Sequence, residues 1–289
     1  MLIVTGANGT LGRLVVEALL KRVPAARLAV SVRHPEKAAD LAARGVRVRR
    51  GEFDDAASLT SAFEGAARVL IVSSNSAGDE AVRQHRSAID AAKAAGARLI
   101  LYTSHVGSSA TSPFAPMRDH FATEMALRDS GVAFASLRNG FYAASVPMML
   151  GAALTTGELR APADGPVSWT SHADLAEAAA ILLGEEDPPR SATIDLTASE
   201  AIDMNGIATI VAELAGRPIH RVVEPDAEYR AGLVARGLPQ ARAEMFLGLY
   251  EASRRGQFAR VDPALRRLIG REPRSLRDEL AAALRRPLG

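Results

Sequence analysis

The first half of the chain alternates short apolar runs with longer amphipathic stretches. This alternation is typical of βαβ units, in which helices connect parallel strands. The predicted strands are Leu2–Thr5, Arg27–Val32, Val46–Arg50, Val69–Ser73, Ala97–Thr103 and Val132–Leu137. The predicted helices are Leu11–Arg22, Pro35–Arg44, Ala56–Glu64, Asp79–Ala95 and Met117–Ser130.

The apolar pattern also indicates where each strand lies in the sheet. Leu70–Val72 and Leu99–Leu101 are apolar on both faces, as central parallel strands require. Val46–Arg49 alternates apolar and basic residues, which indicates a strand at or near an edge. The six strands therefore predict an α/β fold: a Rossmann-type, doubly wound parallel sheet in the order 3-2-1-4-5-6.

The second half is less regular and more helical, with strands predicted at Ala192–Thr197 and Ile219–Glu224. We predict a Rossmann domain over residues 1–150 and a smaller, mostly helical lobe over residues 151–289, with the chain threading between them. Asp54 or Asp55 can cap the third helix, and Asp203 can cap a helix that ends at Ala215. The other helices predicted here are Ala173–Leu183, Ala227–Arg236, Gln240–Arg255, Ala264–Ile269 and Leu276–Arg285.

A glycine-rich loop follows the first strand and opens directly into a helix. Its glycines are suited to a tight turn, to close approach of a pyrophosphate and to packing of the helix on the strand. The helix N-terminus then offers N–H groups and positive potential to the phosphates. A glycine-rich turn without a ligand is the alternative, but the βαβ context favours a dinucleotide site. The residues of this predicted site are Gly6, Asn8, Gly9, Thr10, Leu11 and Gly12.

The residue after the second predicted strand bears on the choice of cofactor. Sites that prefer NAD place an acid there to bind the ribose hydroxyls, whereas this chain has Arg33, followed by Lys37. An arginine suits a 2′-phosphate through charge-assisted hydrogen bonds. A surface arginine on a polar loop is the alternative. We therefore predict NADP(H) rather than NAD as the cofactor.

Polar residues lie where the other predicted strands end. Ligands of open parallel sheets bind outside the carboxyl ends of the strands, so hydroxyls and amides there can contact the ribose and the carboxamide. Any of them can equally serve a turn. The predicted contacts are Asp54, near the adenine edge, together with Ser73, Ser74, Asn75, Thr103, Ser104, Asn139 and Phe141.

Composition excludes several kinds of chemistry. The chain has no Cys, which excludes disulfides, thiolate metal sites and a cysteine nucleophile, and dispersed histidines indicate no metal site. Its formal net charge is only +2, and the arginines are scattered among nearly as many acids, so nucleic-acid binding is not expected. The uncharged stretch Asn139–Gly157 contains polar residues and glycines and is not a membrane span. Because no signal peptide pattern precedes the first strand, we expect a cytoplasmic protein.

The catalytic dyad common in carbonyl-reducing short-chain dehydrogenases, Tyr-x-x-x-Lys, is absent from the sequence. The residues four places after the tyrosines are Val106, Val146, Leu233 and Arg254, and no lysine follows Lys93. His120 and Tyr142 are the remaining candidates for catalysis near the expected pocket. His120 can donate a proton near neutral pH or simply bond locally on its helix. Tyr142 can stack on a flat ring or fill the core.

Several separated segments resemble the NmrA-like branch of atypical short-chain dehydrogenases. Within that branch the chain is most similar to the bacterial NADPH-dependent quinone oxidoreductases of type 2. The resemblance departs at Met125, where those proteins carry Lys, and at His172, where we expect Arg. The segments that carry the resemblance are 5–12, 32–38, 91–96, 102–104, 123–124, 129–131 and 137–142.

The resemblance implies an NADPH-binding Rossmann domain, a small lobe and a cleft between them that holds a quinone. Hydride transfer to a quinone needs chiefly positioning, because a hydroquinone anion is a weaker base than an alkoxide and water or a histidine can protonate it. The partner implied is thus a small electrophile, with a homodimer possible. Two alternatives stay open: a redox sensor that binds NADP(H) without turnover, and a reductase of another unsaturated or carbonyl substrate with His120 as proton donor.

Overall fold

Seven parallel strands form the central sheet of this computed structural model, which describes residues 1–285. The strands are β1 (Leu2–Thr5), β2 (Leu28–Val32), β3 (Arg47–Arg50), β4 (Arg68–Ile71), β5 (Leu99–His105), β6 (Phe134–Asn139) and β10 (Ala192–Leu196). Along the sheet the order is β3-β2-β1-β4-β5-β6-β10, so the predicted order 3-2-1-4-5-6 is confirmed and one strand from the second half of the chain is added beside β6.

Helices cover both faces of the sheet, as the predicted Rossmann-type fold requires. On one face α1 (Thr10–Leu20) and α8 (His172–Gly184) pack together, with Leu11, Val15 and Leu19 in the same apolar cluster as Leu175. On the other face lie α3 (Ala56–Ala62), α4 (Asp79–Ala94) and α5 (Ala115–Asp129). The remaining helix of the first half is the short α2 (Ala39–Ala43).

A second apolar cluster lies in the C-terminal half around Trp169, Leu159 and Phe258. Two small parallel pairs accompany it, β7 (Phe141–Tyr142) with β9 (Trp169–Thr170) and β8 (Glu158–Ala161) with β11 (His220–Val223). The helices are α6 (Val146–Met149), α7 (Ala153–Thr156), α9 (Met204–Ala215), α10 (Asp226–Ala235), α11 (Gln240–Arg254), α12 (Ala264–Ile269) and α13 (Leu276–Leu284).

Several predicted boundaries change, and two of the changes move candidate site residues. β5 continues to His105 and β6 to Asn139, beyond the predicted ends at Thr103 and Leu137. Thr103, Ser104 and Asn139 therefore lie inside strands rather than after them. The predicted helix Pro35–Arg44 is wrong in part, because residues 35–38 form a 3₁₀ turn and only α2 is α-helical.

The predicted caps are confirmed where the structure tests them. The Ser58 N–H donates to the Asp55 carboxylate at 3.0 Å, so Asp55, and not Asp54, is the cap of α3. The Gly206 N–H donates to Asp203 at 2.8 Å at the start of α9. β3 forms one edge of the sheet, as its alternating pattern predicts. The division of the chain at residue 150 stays a prediction, and residues 286–289 of the predicted lobe lie outside the described residues.

Candidate functional site

A cleft of about 770 Å³ opens at the carboxyl ends of the sheet strands. It lies where β1 is flanked by β2 on one side and β4 on the other, which is the point where the strand order reverses and where Rossmann-type folds bind ligands. The predicted residues that line it are Gly6, Asn8, Gly9, Thr10, Leu11, Gly12, Arg33, Lys37, Asp54, Ser73, Ser74, Asn75 and Tyr142.

The glycine loop forms the floor of the cleft in a conformation that depends on its glycines. Gly6 has a φ of +64°, a left-handed conformation that disfavours any side chain. A Cβ on Gly12 would lie 2.7 Å from the Gly6 carbonyl carbon and 3.0 Å from the Thr5 oxygen, so only glycine lets α1 start so close to the loop. No side chain caps α1, and its first N–H groups are left for a ligand.

One end of the cleft carries positive charge. Arg33 and Lys37 are exposed there, and neither forms an ion pair with any of the residues that the structure describes. Beside them the Asn8 side chain donates to the His34 oxygen at 2.8 Å, which ties the glycine loop to the segment after β2. Two exposed cations next to the glycine loop have the charge that a 2′-phosphate requires.

Asp54 lies at the same end but is held by partners from α4. Its carboxylate accepts hydrogen bonds from Arg83 at 2.9 Å and from Gln84 at 2.8 Å. These bonds, with Arg33 nearby, hold the pKa of Asp54 below its usual range. Asp54 is therefore ionised at neutral pH, and its charge offsets part of the field of Arg33.

Tyr142 and His172 line the other end of the cleft. Their rings lie 4.1 Å apart between centroids at an angle of 38°. Burial raises the pKa of Tyr142, partly offset by the Asn139 side chain, and burial lowers the pKa of His172. Both groups are therefore neutral at pH 7 and present a flat wall of rings rather than a charge.

The other predicted residues do not line the cleft. The Ser73 N–H donates to the Thr103 hydroxyl at 2.9 Å, and the Ser104 hydroxyl donates to Glu124 at 2.7 Å. Asn139 is buried in β6. All three residues lie inside strands, and the two hydroxyls bond to the segment after β4 and to α5.

Phe141 belongs to an aromatic cluster beside the cleft. Its ring lies 5.4 Å from Trp169, 5.4 Å from Phe258 and 5.2 Å from His105. His120 stacks on His105 at 6.3 Å, so the candidate His120 lies next to this cluster. Of the two predicted catalytic candidates, Tyr142 lines the cleft and His120 does not.

Sequence reasoning missed further residues of the cleft, among them Ser31, Gly51, Phe53, Gln84 and His172. Gly51 carried a usable signal, since a glycine directly after a strand suggests close packing. A Cβ there would lie 2.9 Å from the Ala62 side chain and would overlap the Ser31 hydroxyl. Gln84 lies on a helix and carried no comparable signal, and His172 was marked only by its departure from the arginine that the resemblance leads us to expect.

The sequence profile of the NmrA-like family matches residues 1–276. The chain belongs to the NmrA-like family. The resemblance drawn from the sequence segments is thereby confirmed, and with it the Rossmann-type fold.

Characterised relatives match along nearly the whole chain. Quinone oxidoreductase 2 of Escherichia coli (strain K12) is 35% identical over 282 residues, which cover 97% of this chain and 98% of that protein. An NAD(P)H azoreductase of Xenophilus azovorans is 27% identical over 95% of both chains.

Solved structures of the family agree with the fold. The NADPH-dependent quinone oxidoreductase of Escherichia coli complexed with NADPH superposes with a TM-score of 0.92 at 33% identity, covering 98% of this chain and 100% of that one. The Citrobacter sp. triphenylmethane reductase complexed with NADP(H) gives a TM-score of 0.88 at 32% identity, covering 97% and 100%.

Within residues 1–285, none of the helices is both long enough and apolar enough to cross a bilayer.

Proposed function

We propose that the protein is an NADPH-dependent oxidoreductase that reduces quinones by hydride transfer. The observation that carries the proposal is the pairing of the glycine loop with Arg33 and Lys37 at one end of a single cleft. Relatives of about one-third identity along nearly the whole chain are quinone and dye reductases, which supports the same chemistry.

In the proposed cofactor site, different groups of residues bind different parts of NADPH. The loop Gly6–Gly12 and the first turn of α1 hold the pyrophosphate, Arg33 and Lys37 hold the 2′-phosphate, and Asp54 faces the adenine. Ser73, Ser74 and Asn75 contact the ribose of the nicotinamide half. When bound there, NADPH supplies the hydride.

The far end of the cleft is suited to a flat substrate. Tyr142 and His172 offer ring faces there, and Phe141, the residue before Tyr142, belongs to the aromatic cluster with Trp169. A neutral aromatic wall favours a planar, uncharged acceptor through stacking and burial of apolar surface. The chain lacks the Tyr-x-x-x-Lys dyad, and quinone reduction needs positioning more than a strong acid, so the missing dyad is consistent with this substrate.

The test combines binding with turnover on the full-length protein. NADPH and NADH are titrated separately, and NADPH absorbance is then followed with a panel of quinones and with an aliphatic ketone. We expect tighter NADPH binding and oxidation that depends on the quinone. Tight NADPH binding without oxidation by any quinone would contradict the proposal and favour a redox sensor, and oxidation by the ketone alone would favour a carbonyl reductase.

A cytoplasmic location and a homodimer remain predictions of ours. The absence of Cys fits a compartment in which disulfides are not used. Sedimentation of the purified protein across a range of concentrations distinguishes a dimer from a monomer.

A further inference from the structure

Four arginines lie at the amino ends of neighbouring strands, at the end of the sheet opposite the cofactor cleft. Arg47 and Arg68 are the first residues of β3 and β4. Arg27 and Arg98 directly precede β2 and β5. Because these strands flank β1 in the order β3-β2-β1-β4-β5 and neighbouring strands are about 4.8 Å apart, the four arginines form a row about 19 Å long. We call these four residues the basic row.

The basic row lines a cavity of about 440 Å³, a volume in the range of small-molecule sites. None of the described residues that line this cavity is acidic. Leu2, which also lines it, is buried, and an apolar wall of this kind strengthens the field of nearby charges. The other lining residues are Met1, Ala26, Gly65 and Ala67.

Two arginines at this end of the sheet have structural partners. Arg68 is half-buried and donates to the carbonyl oxygens of Leu183 at 2.9 Å and Glu186 at 3.0 Å, where α8 ends. Arg49 of β3, which does not line the cavity, donates to the carbonyl oxygen of Ala62 at 3.0 Å, where α3 ends. The carbonyls at a helix C-terminus carry partial negative charge, which accounts for both arginines.

The other three members of the basic row have no such partner. Arg27, Arg47 and Arg98 are exposed. Between positions 1 and 285 none of the three forms an ion pair, and none donates its guanidinium to a carbonyl oxygen. Three free guanidinium groups therefore face one cavity.

Positive charge exceeds negative charge around the cavity. Burial lowers the pKa of Arg68, and Arg98, the strongest of the neighbouring cations, lowers it further. Asp187 opposes this shift, but its side chain is 95% exposed and also pairs with Arg190 at 3.9 Å. The net charge at this end of the sheet is therefore suited to an anion.

We propose that this cavity binds a small anion that carries more than one phosphate group, and that Arg27, Arg47 and Arg98 hold it. Guanidinium groups bind phosphate oxygens through charge-assisted and often paired hydrogen bonds. A single phosphate group carries about 1.5 to 2 negative charges at pH 7, whereas three free arginines spread along a row match an anion of higher charge. The site is separate from the cofactor cleft and does not depend on the quinone reductase function.

A strand of nucleic acid fits the cavity less well than a small anion. Proteins that bind single strands combine basic residues with aromatic side chains on which the bases stack. None of the described residues that line this cavity is aromatic. The apolar residues beside the arginines are small or aliphatic and offer no stacking surface.

The experiment titrates triphosphate, pyrophosphate and inorganic phosphate into the full-length protein in a calorimeter. The protein is first saturated with NADPH, which occupies the glycine loop, Arg33 and Lys37, so that added anions report on the second cavity. We expect triphosphate to bind at one site and more tightly than inorganic phosphate. Its affinity should fall as salt is added, because exposed charges are screened.

A double variant and a matched control connect this binding to the basic row. Arg27→Gln with Arg47→Gln removes two of the free guanidinium groups, and Arg242→Gln with Arg255→Gln removes two exposed arginines near the ends of α11. Triphosphate affinity should fall about tenfold or more in the first variant and stay unchanged in the control. Thermal unfolding without triphosphate shows that each variant folds, and added triphosphate should raise the midpoint clearly in the wild type and the control alone.

Chemical modification locates the bound anion without any substitution. Phenylglyoxal reacts with exposed guanidinium groups, and mass spectrometry of the peptides measures the extent of reaction at each arginine. With NADPH present throughout, triphosphate should protect Arg27, Arg47 and Arg98. The reactivity of Arg255 should not change.

Three results would overturn the inference. The first is no triphosphate binding to the NADPH-saturated protein, the second is an equal loss of affinity in both double variants, and the third is a lack of protection at Arg27, Arg47 and Arg98. Equal affinities for inorganic phosphate and triphosphate would contradict the need for more than one phosphate group. Tighter binding of a single-stranded oligonucleotide than of triphosphate would show a nucleic-acid site instead.

Discussion

Two arginine side chains illustrate what a single residue contributes to this molecule. Arg33 is exposed at the cleft and forms no ion pair with the described residues, whereas Arg138 is engaged by a buried carboxylate. The first was recognisable from the sequence, because the residue after the second Rossmann strand has a defined place beside the ribose. The second was not, because its partner Glu124 comes from a helix that precedes β6 in the chain.

Arg33→Asp should weaken NADPH binding far more than NADH binding. The substitution removes a charge-assisted hydrogen bond and places an acid next to the 2′-phosphate, which corresponds to a loss of about ten- to hundredfold in affinity. Fluorescence titration with both cofactors measures the effect. Arg255→Asp, an equal change of charge at the end of α11, should leave both affinities unchanged. Equal losses for NADPH and NADH in Arg33→Asp would show that the 2′-phosphate assignment is wrong.

Gly12→Ala should lower both the stability and the affinity for NADPH. The new methyl would overlap the Gly6 backbone, so α1 must move away from the loop, at a cost of about 1–3 kcal/mol. Urea unfolding and NADPH titration measure the two effects. Gly232→Ala in α10 is the matched control: the nearest atom to the added methyl is 3.7 Å away, and alanine should stabilise that helix slightly. Wild-type NADPH affinity in Gly12→Ala would contradict our account of the loop.

At the scale of elements, the sequence predicted the sheet far better than the parts that join it to the second lobe. The strands β1 to β6 were predictable because apolar runs and flanking glycines are local signals. β7, β8 and β9 were missed because they are short and are defined by their partners: β8 pairs with β11, about sixty residues further along. The position of Ser104 was mispredicted for the same reason, because its partner is distant in the chain. The sequence predicted Ser104 after a strand, whereas the structure places it within β5, where its hydroxyl donates to Glu124.

The contact between α5 and β6 depends on one buried ion pair. Arg138 donates to both oxygens of Glu124, at 2.9 and 2.6 Å, and the Ser104 and Ser136 hydroxyls donate at 2.7 and 2.9 Å. Burial alone would raise the pKa of Glu124, but these four hydrogen bonds lower it below its usual value. The carboxylate is thus fully compensated inside the protein.

Glu124→Gln should lower the free energy of unfolding by about 3–5 kcal/mol at pH 7, because it leaves Arg138 without its counter-charge. Because the folded pKa of Glu124 is depressed, its contribution is complete above the usual carboxyl pKa of 4.5 and is lost as the pH falls through the folded value. Urea unfolding of both proteins at several pH values measures this, and the difference should narrow in acid. The exposed pair of Glu244 and Arg230 supplies the control, since Glu244→Gln should cost at most about 1 kcal/mol. A loss of only about 1 kcal/mol in the free energy of unfolding of Glu124→Gln would contradict the prediction.

For the whole molecule, the buried histidines predict sensitivity to mild acid. Burial lowers the pKa of His85 and of His105 to about 3 and that of His120 to about 4, against 6.5 for an ordinary histidine. Between these values the unfolded chain binds protons that the folded protein does not. Stability is therefore unaffected above pH 6.5 and falls below it, by about 1.4 kcal/mol per pH unit for each histidine.

Urea unfolding between pH 7 and pH 4.5 checks this prediction. The free energy of unfolding should fall with a slope of about 4 kcal/mol per pH unit below pH 6, and His85→Gln should remove about a third of that slope. His220→Gln, which replaces an exposed imidazole on β11, should leave the slope as it is. A stability that stays constant down to pH 5 would contradict the assignment of these three histidines as neutral in the folded protein.

The packing of α8 on α1 has a consequence for how the protein is made. The apolar stripe of α1 is completed by residues that the ribosome adds about 160 positions later, and β10 joins the sheet later still. During synthesis the first half therefore emerges with one face of its sheet uncovered, and such exposed surface favours aggregation. The nascent chain should need protection by a chaperone until α8 and β10 have left the ribosome, and release of the full chain should be followed by a slow closing step, as contacts distant in sequence require.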